Sequence, residues 1–421
     1  LKKLLYILLD GVGDRPNPAL NYTTPLDAAL TPNLDALARQ GIKGLVYPVA
    51  KGVAPESDIA VFSMLGYDVD TEYPGRGVIE AIGLDLDFKP GDLAVRANFA
   101  TVDESNRIID RRVGRDLSEE EAKSLAQALN EQVKLSGATF RFVHSVGHRA
   151  VLVIRVEGEP LSGMISNTDP AYERVGKLGV AKEGKVSPYL KEAKPLEDTK
   201  AARLAAELVN EFTKQALKVL KDHPVNKERI KRGQLPGNAV LLRDAGSELP
   251  SVKSLYDRFK MRFAALTDMP VERGVVKITG MHSFEAGGLK DYAAKAKKTL
   301  ELLTRYSGVY VHLKGPDEPG HDGDAWGKKK VIEDIDQHFF SKLLLNIDLD
   351  RVVVVISADH STPCTLRAHS ADPVPLLITG GKAGKDEPCR FTEKDCRRGS
   401  LGSLVGKEVL ERAYSFLPNS R

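Results

Sequence analysis

Three cysteines in 421 residues are too few, and odd in number, to build a disulfide framework. Cys364, Cys389 and Cys396 are therefore expected to be free thiols in a reducing compartment. Charge of one sign is lacking too: 61 basic residues stand against 58 acidic ones, a net of +3. That balance offers no electrostatic footprint for a general nucleic-acid partner or an anionic membrane. A bilayer span takes about 20 consecutive apolar residues, and the chain has no such run. The N-terminal LKKLLYILLDG imitates a secretion signal, but its apolar run covers only residues 4–9 and ends in Asp10. A signal core takes about 7–15 apolar residues followed by a small-residue cleavage site. A cytoplasmic chain without nucleic-acid or membrane partners is expected. Internal repeats and low-complexity tracts are also missing.

Strands alternating with helices are what the chain does contain. Residues 4–9 read as a buried strand that delivers Asp10 to a GVGD loop. TPNLDALARQG follows, with Thr31 as N-cap, Pro32 at the first helical position and Gly41 as C-cap. After the strand-like GLVYPVA, Ser57 opens a helix that ends near Gly66. AVRANFATVD alternates like a strand. Further on, residues 199–221 read as an amphipathic helix, and 239–242 and 275–279 as strands. Residues 291–306 and 328–345 read as helices, with a strand at 309–313 between them. A final strand, VPLLITGG, precedes a helix at 403–413. This alternation predicts a mostly parallel sheet between two layers of helices.

Length favours two domains. Between residues 110 and 179 the pattern changes to a helix with a Ser118…Glu121 capping box and two strands joined at Gly147-His148. This segment is expected to be an inserted α+β lid, leaving 1–109 and 180–421 as a discontinuous α/β core.

The chemistry gathers around VVVVISADHSTPCTLRAHS. Its β-branched run, 352–356, reads as a strand buried on both faces. Asp359 and His360 leave that strand together, and His369 follows. Ligands bind beyond the carboxyl ends of strands in open α/β sheets, and adjacent carboxylate and imidazole there suit a mixed oxygen and nitrogen metal site. Asp10 leaves the first strand, Ser57 opens a helix, and Asp317 and His321 follow the 309–313 strand. Each alone has a plainer reading: a turn, an N-cap, a solvated loop. Pro316 and Pro319 argue against a regular helix across Asp317 and His321. Four segments converging on one sheet edge favour a metal centre over coincidence.

These residues carry a resemblance that spans nearly the whole chain. LLDGVGD, APESD, YPGRGVIEAIG, NFATVD with DRRVGR, DEPGHDGD, ADHSTPC and His369 resemble the alkaline-phosphatase superfamily. Within it, they resemble the archaeal branch of cofactor-independent phosphoglycerate mutases. The resemblance implies two divalent metals, one held by Asp317, His321 and His369, the other by Asp10, Ser57, Asp359 and His360. Mn²⁺ is the first choice for such ligands, with Zn²⁺, Co²⁺ or Mg²⁺ as alternatives. It implies interconversion of 2- and 3-phosphoglycerate through a phosphoserine at Ser57, with no 2,3-bisphosphoglycerate. A homo-oligomer is compatible with it. The insert and its junction carry Arg96, Arg107, Arg111, Arg112, Arg115, His144, His148 and Arg149. Arg111, Arg112 and Arg115 match the family's DRRxGR segment, beside Asn98. With His148 and Arg149 they are candidate substrate-binding residues, and Arg262, Arg273 and Lys314 are further contributors. Two other readings stay open at this stage: a metal-dependent phosphomonoesterase or phosphonate hydrolase, and a non-catalytic phosphate- or metal-binding protein.

Overall fold

The computed structural model describes residues 2–182, 186–387 and 389–418. The chain forms two compact units, Leu1–Tyr73 with Val252–Arg421, and Pro74–Ser251.

The first unit is built on eight strands in the order His282–Phe284, Phe263–Leu266, Gly308–Leu313, Lys3–Leu9, Val352–Ser357, Val374–Thr379, Gly41–Tyr47, Gly402–Val405. Val374–Thr379 runs antiparallel to both neighbours, and the other five pairings are parallel. Every residue of Gly308–Leu313, Val352–Ser357 and Val374–Thr379 is buried. Both faces of the sheet are therefore covered, as the continuous apolar runs require. Helices Pro270–Ile278 and Gly406–Ser415 both pack on Ser57–Met64. A second group joins Tyr292–Arg305, Pro32–Ala38 and the stretch from Ala325 to Asn346, which is interrupted by a π-turn at Asp336–Phe340. Register decides where the chemistry falls. Leu8 lies beside both His312 and Ser357, so the three central strands end level and release Asp10, Lys314 and Asp359 at one edge.

Several expectations are corrected here. Residues 275–279 are not a strand: 275–278 end the helix Pro270–Ile278, and Thr279 is its C-cap. Pro270 starts it, and Glu272 accepts from the N–H groups of Asp268 and Met269 at 3.0 and 3.2 Å. Five apolar-rich residues fit either period, and the cap decides. The last helix begins at Gly406, because 402–405 pair as a parallel strand with Gly41–Tyr47. Gly41 does not cap a helix; it opens its strand where a Cβ would lie 2.6 Å from the Ile378 carbonyl. Asp317–Asp322 is helical despite its prolines. Pro316 precedes it and Pro319 sits in the first turn, where N–H groups have no intrahelical acceptor to lose.

The second unit has an antiparallel sheet in the order Ile108–Asp110, Leu93–Val102, Arg149–Arg155, Thr139–His144, with Ala239–Gly246 also paired to Leu93–Val102. One face packs helices Glu119–Gln132 and Lys200–Lys221 around Phe99, Phe142 and Phe212. The other packs Arg76–Gly83 through Val78 and Ala81. Ser118 and Glu121 form the expected capping box. The unit is wider than 110–179 on both sides. Strands 93–102 and 239–246 hydrogen-bond to each other, and the 200–221 helix completes this core rather than the first unit's. Local alternation cannot assign an element to one sheet or the other.

Candidate active site

Backbone pairing places the loop donors. Asp10 N donates to Leu313 O at 3.0 Å, and Gly11 N donates to Asp359 Oδ1 at 3.0 Å. Asp317 and His321 are four residues apart on their short helix and so share a face. His321 Nε2 lies 3.4 Å and His369 Nε2 3.5 Å from Asp317 Oδ1. His360 Nε2 lies 3.3 Å from Asp359 Oδ2, 3.5 Å from Asp10 Oδ1 and 3.0 Å from Ser57 Oγ. Ser57 is the first residue of its helix, where free N–H groups and the helix dipole favour an anion.

All seven expected residues thus converge within the first unit, but their grouping differs from expectation. The two tight donor groups are Asp10, Asp359 and His360, and Asp317, His360 and His369, with donor atoms in each within 4.8 Å of one another. His360 belongs to both, and its ring stacks on His369 at 3.6 Å. His321 lies at the margin, its side chain 44% exposed and its ring 5.1 Å from that of His369. His321 Nδ1 donates to Arg367 O and His369 Nδ1 to Pro55 O. Each Nε2 then faces Asp317, the orientation of a metal-binding histidine once that nitrogen gives up its proton.

The donors fit divalent cations. Asp10 Oδ1 and Asp359 Oδ2 are buried without a hydrogen-bond partner among the described residues, a costly state unless a cation satisfies them. Burial raises the Asp10 carboxyl, opposed by Lys314. Asp359 is held well below the usual range despite burial, by His360 and His312. Asp317 is also held low against burial, by His321 and His369.

Three supporting residues lie behind the donors. His312, wholly buried, has Nε2 3.3 Å from Asp359 Oδ2 and Nδ1 3.0 Å from Glu272 Oε1. Burial and Lys314 lower it, but Asp359 and Glu272 outweigh them and raise it to about 10. Lys314 Nζ spans Glu272 Oε1 at 2.6 Å and Asp10 Oδ2 at 3.2 Å. Of the further contributors, Lys314 is at the site. Arg262 is not: it precedes Phe263 at the opposite sheet edge, stacked near Tyr306. Arg273 is paired with Glu285. Sequence reasoning missed His312 and Glu272. His312 sits inside an all-buried strand, and Glu272 in the first turn of the helix Pro270–Ile278, just ahead of the residues misread as a strand. Cys364 and Cys396 are buried free thiols and Cys389 an exposed one.

The second unit gathers guanidinium groups. Glu80 lies 2.9 Å from Arg76 and 3.5 Å from Arg96. Burial, then the charges of Arg243 and Arg76, lower Arg96 to about 9. Asn98 and Arg149 are cross-strand partners, and Arg149 feels burial, then Arg76, Glu80, Arg243 and Arg112. His148 is lowered to about 3 by burial, then by Arg149, Arg112, Arg96 and Arg115. Arg111 is turned toward Asp169, its ion-pair partner, and lies over Tyr172, on which Arg243 also stacks at 3.6 Å. Arg112, Arg115, His148, Arg149 and Arg96 thus form one cluster, to which the structure adds Arg76 and Arg243. Arg76 stood in the GRGVIEAIG motif, whereas Arg243 lay outside the expected insert. The DRRVGR turn holds Val113, Gly114 and Arg115 at φ of 52, 65 and 61°, an unusual run that a β-branched residue resists.

A serine at a helix N-terminus, set among carboxylates and imidazoles beyond a parallel sheet, marks the chain as an α/β enzyme of phosphoryl transfer. Among the described residues no helix is long and apolar enough to cross a membrane. Residues 38–226 match the family model described as 2,3-bisphosphoglycerate-independent phosphoglycerate mutase. The protein of that name from Aeropyrum pernix is 46% identical, covering 99% of each chain. The one from Methanopyrus kandleri is 42% identical over 97% of this chain and 95% of its own. Two solved structures are also similar. The PH0037 protein from Pyrococcus horikoshii has a TM-score of 0.80 at 31% identity, covering 100% of this chain and 99% of its own. The cofactor-independent phosphoglycerate mutase from Thermoplasma acidophilum has a TM-score of 0.67 at 33% identity, covering 99% of each. The chain belongs to the 2,3-bisphosphoglycerate-independent phosphoglycerate mutases.

Proposed function

We propose that the chain interconverts 3-phosphoglycerate and 2-phosphoglycerate by way of a phosphoserine at Ser57, without 2,3-bisphosphoglycerate. One distance carries the reading: Ser57 Oγ stands 3.0 Å from His360 Nε2, on the first residue of a helix. Asp317, His321 and His369 would hold one divalent ion, and Asp10, Ser57, Asp359 and His360 a second. Mn²⁺ suits these oxygen and nitrogen donors first, with Zn²⁺, Co²⁺ and Mg²⁺ as alternatives. Bound there, such ions supply Lewis acidity that acidifies a hydroxyl and offsets phosphoryl charge.

The remaining work falls to the chain's own residues. Ser57 Oγ bonds to phosphorus as the bond from phosphorus to the substrate oxygen breaks. The proton shed by the serine ends on the departing glycerate oxygen. The first-turn N–H groups of the Ser57 helix receive phosphoryl oxygens. The other glycerate hydroxyl then attacks the phosphoserine, which restores Ser57 with no net change in protons. Water must be kept out in the interval, or the product is free phosphate. The second unit is proposed as the lid that excludes it. Its Asn98, Arg111, Arg112, Arg115, His148 and Arg149 would grip the glycerate carboxylate, because guanidinium groups pair with carboxylates bidentately. Phosphoglycerates are cytoplasmic metabolites, and the reaction is proposed to run there.

The test is a coupled assay with Mn²⁺ and 3-phosphoglycerate, read alongside phosphate release. The expected result is 2-phosphoglycerate without stoichiometric phosphate, no stimulation by 2,3-bisphosphoglycerate, and a phosphate adduct on the Ser57 peptide after acid quench. Ser57→Ala should abolish turnover with the fold intact. Turnover surviving in that variant sinks the mechanism.

A further inference from the structure

We propose that Thr362 is a positioning residue whose single hydroxyl sets the tautomer of His360 and couples the two donor groups to each other. The proposal rests on the reading of those groups as metal ligands. Thr362 Oγ1 lies 2.6 Å from Asp317 Oδ1 and 3.0 Å from His360 Nδ1. An ionised carboxylate only accepts, so the hydroxyl proton is donated to Asp317. The oxygen then has only lone pairs to offer the ring, and His360 donates through its Nδ1–H. Its Nε2 is left with a lone pair directed at Ser57 Oγ, Asp359 Oδ2 and Asp10 Oδ1. Three oxygens and one bare nitrogen converging in this way suit a cation.

The hydroxyl has little freedom to adopt another geometry. Thr362 is completely buried. Its N–H donates to Gly13 O at 3.0 Å, and its carbonyl accepts from Lys328 Nζ at 2.9 Å. Two glycines shape the space around it. A Cβ on Gly11, which holds a φ of +61°, would lie 2.7 Å from Thr362 Oγ1 and 2.8 Å from Asp317 Oδ1. One on Gly320 would lie 2.5 Å from the Thr362 carbonyl. The chain thus omits a side chain at Gly11, beside a hydroxyl that joins the carboxylate of one group to the imidazole of the other, and at Gly320, against the backbone and methyl of the same residue. Loading either group orders a ligand of its neighbour, so binding of the two ions is positively coupled.

The test compares wild type with Thr362→Val, which keeps the shape and loses the hydroxyl, and Thr362→Ser, which keeps the hydroxyl. Mn²⁺ is titrated calorimetrically into chelator-stripped full-length protein, and nitrogen NMR of the histidine rings reports the tautomer. Thr362→Val should bind Mn²⁺ about 10–100-fold more weakly, the usual effect of losing a partner of a metal ligand. Its two binding events should become independent, whereas Thr362→Ser stays close to wild type. His360 in the metal-free wild type, read at a pH high enough to leave the ring neutral, should carry its one proton on Nδ1. Wild-type affinity in Thr362→Val, or an Nε2–H tautomer in the wild type, overturns the proposal. A wild type that binds no Mn²⁺ would instead defeat the metal reading, and the tautomer would still decide the role of Thr362. Should Thr362→Val not fold, the wild-type tautomer and Thr362→Ser carry the same decision.

Discussion

Lys328→Met strips the ammonium that ties two loop segments to the helix Ala325–Ile335 beneath the site. Lys328 Nζ donates to Asp14 Oδ2 at 2.9 Å, Thr362 O at 2.9 Å and Gly13 O at 3.1 Å. Both charged side chains are 0% exposed, so three donors meet three acceptors with no water to replace them. Methionine occupies nearly the same volume and supplies none. Removing one partner of a buried ion pair costs about 3–5 kcal/mol. Asp14 keeps two N–H donors, from Arg15 at 2.7 Å and Cys364 at 3.2 Å, which favours the lower part of that range, roughly 3–4 kcal/mol. The assay is equilibrium urea unfolding read from Trp326, the only tryptophan. It lies on the same helix as Lys328, in the first unit, so its signal reports that unit. With a denaturant slope of about 3 kcal/mol per molar, the midpoint should fall by about 1 M. Adding Asp14→Asn should cost less in the Lys328→Met background than alone, since the pair is already broken. A loss below about 1 kcal/mol, the size of an exposed pair, would refute the reasoning.

Glu393 sets a pH dependence of opposite sign to most carboxylates. Burial raises it from 4.5 to about 7, against the donors Thr24 Oγ1 and Asp14 N. Folding therefore takes up a proton between those values, and stability falls as pH rises through that window. Glu393→Gln should gain stability over wild type at about pH 8 and lose that advantage near the unfolded value. Parallel unfolding curves at the two pH values would exclude the effect. Arg149→Met should raise KM about 10–100-fold with a smaller change in kcat, from losing charge-assisted bonds of about 1.5–3 kcal/mol. Steady-state kinetics with an unchanged KM would remove Arg149 from the substrate grip.

Much of the donor set was legible because each member follows a buried strand. Asp10 follows an apolar run, Asp359 and His360 follow a β-branched one, and parallel pairing places their exits at one edge. Ser57 was legible as the opening residue of a helix. His312 was not, because a histidine in an all-buried strand carries no periodic mark. Glu272 was hidden in a helix whose Val275-Val276 pair also suits a strand. The helix at 317–322 was obscured by two prolines, one just before it and one in a first turn that tolerates it.

By itself, the order of residues determined that a mostly parallel α/β sheet exists and that carboxylates, imidazoles and a serine leave its edge, because burial patterns and strand ends are local properties. Only the tertiary structure decided that His360 is shared by both donor groups, that Thr362 bridges them, and that the second unit reaches from Pro74 to Ser251. Those are distances between segments far apart in the chain. They depend on strand register and packing, which no single stretch encodes.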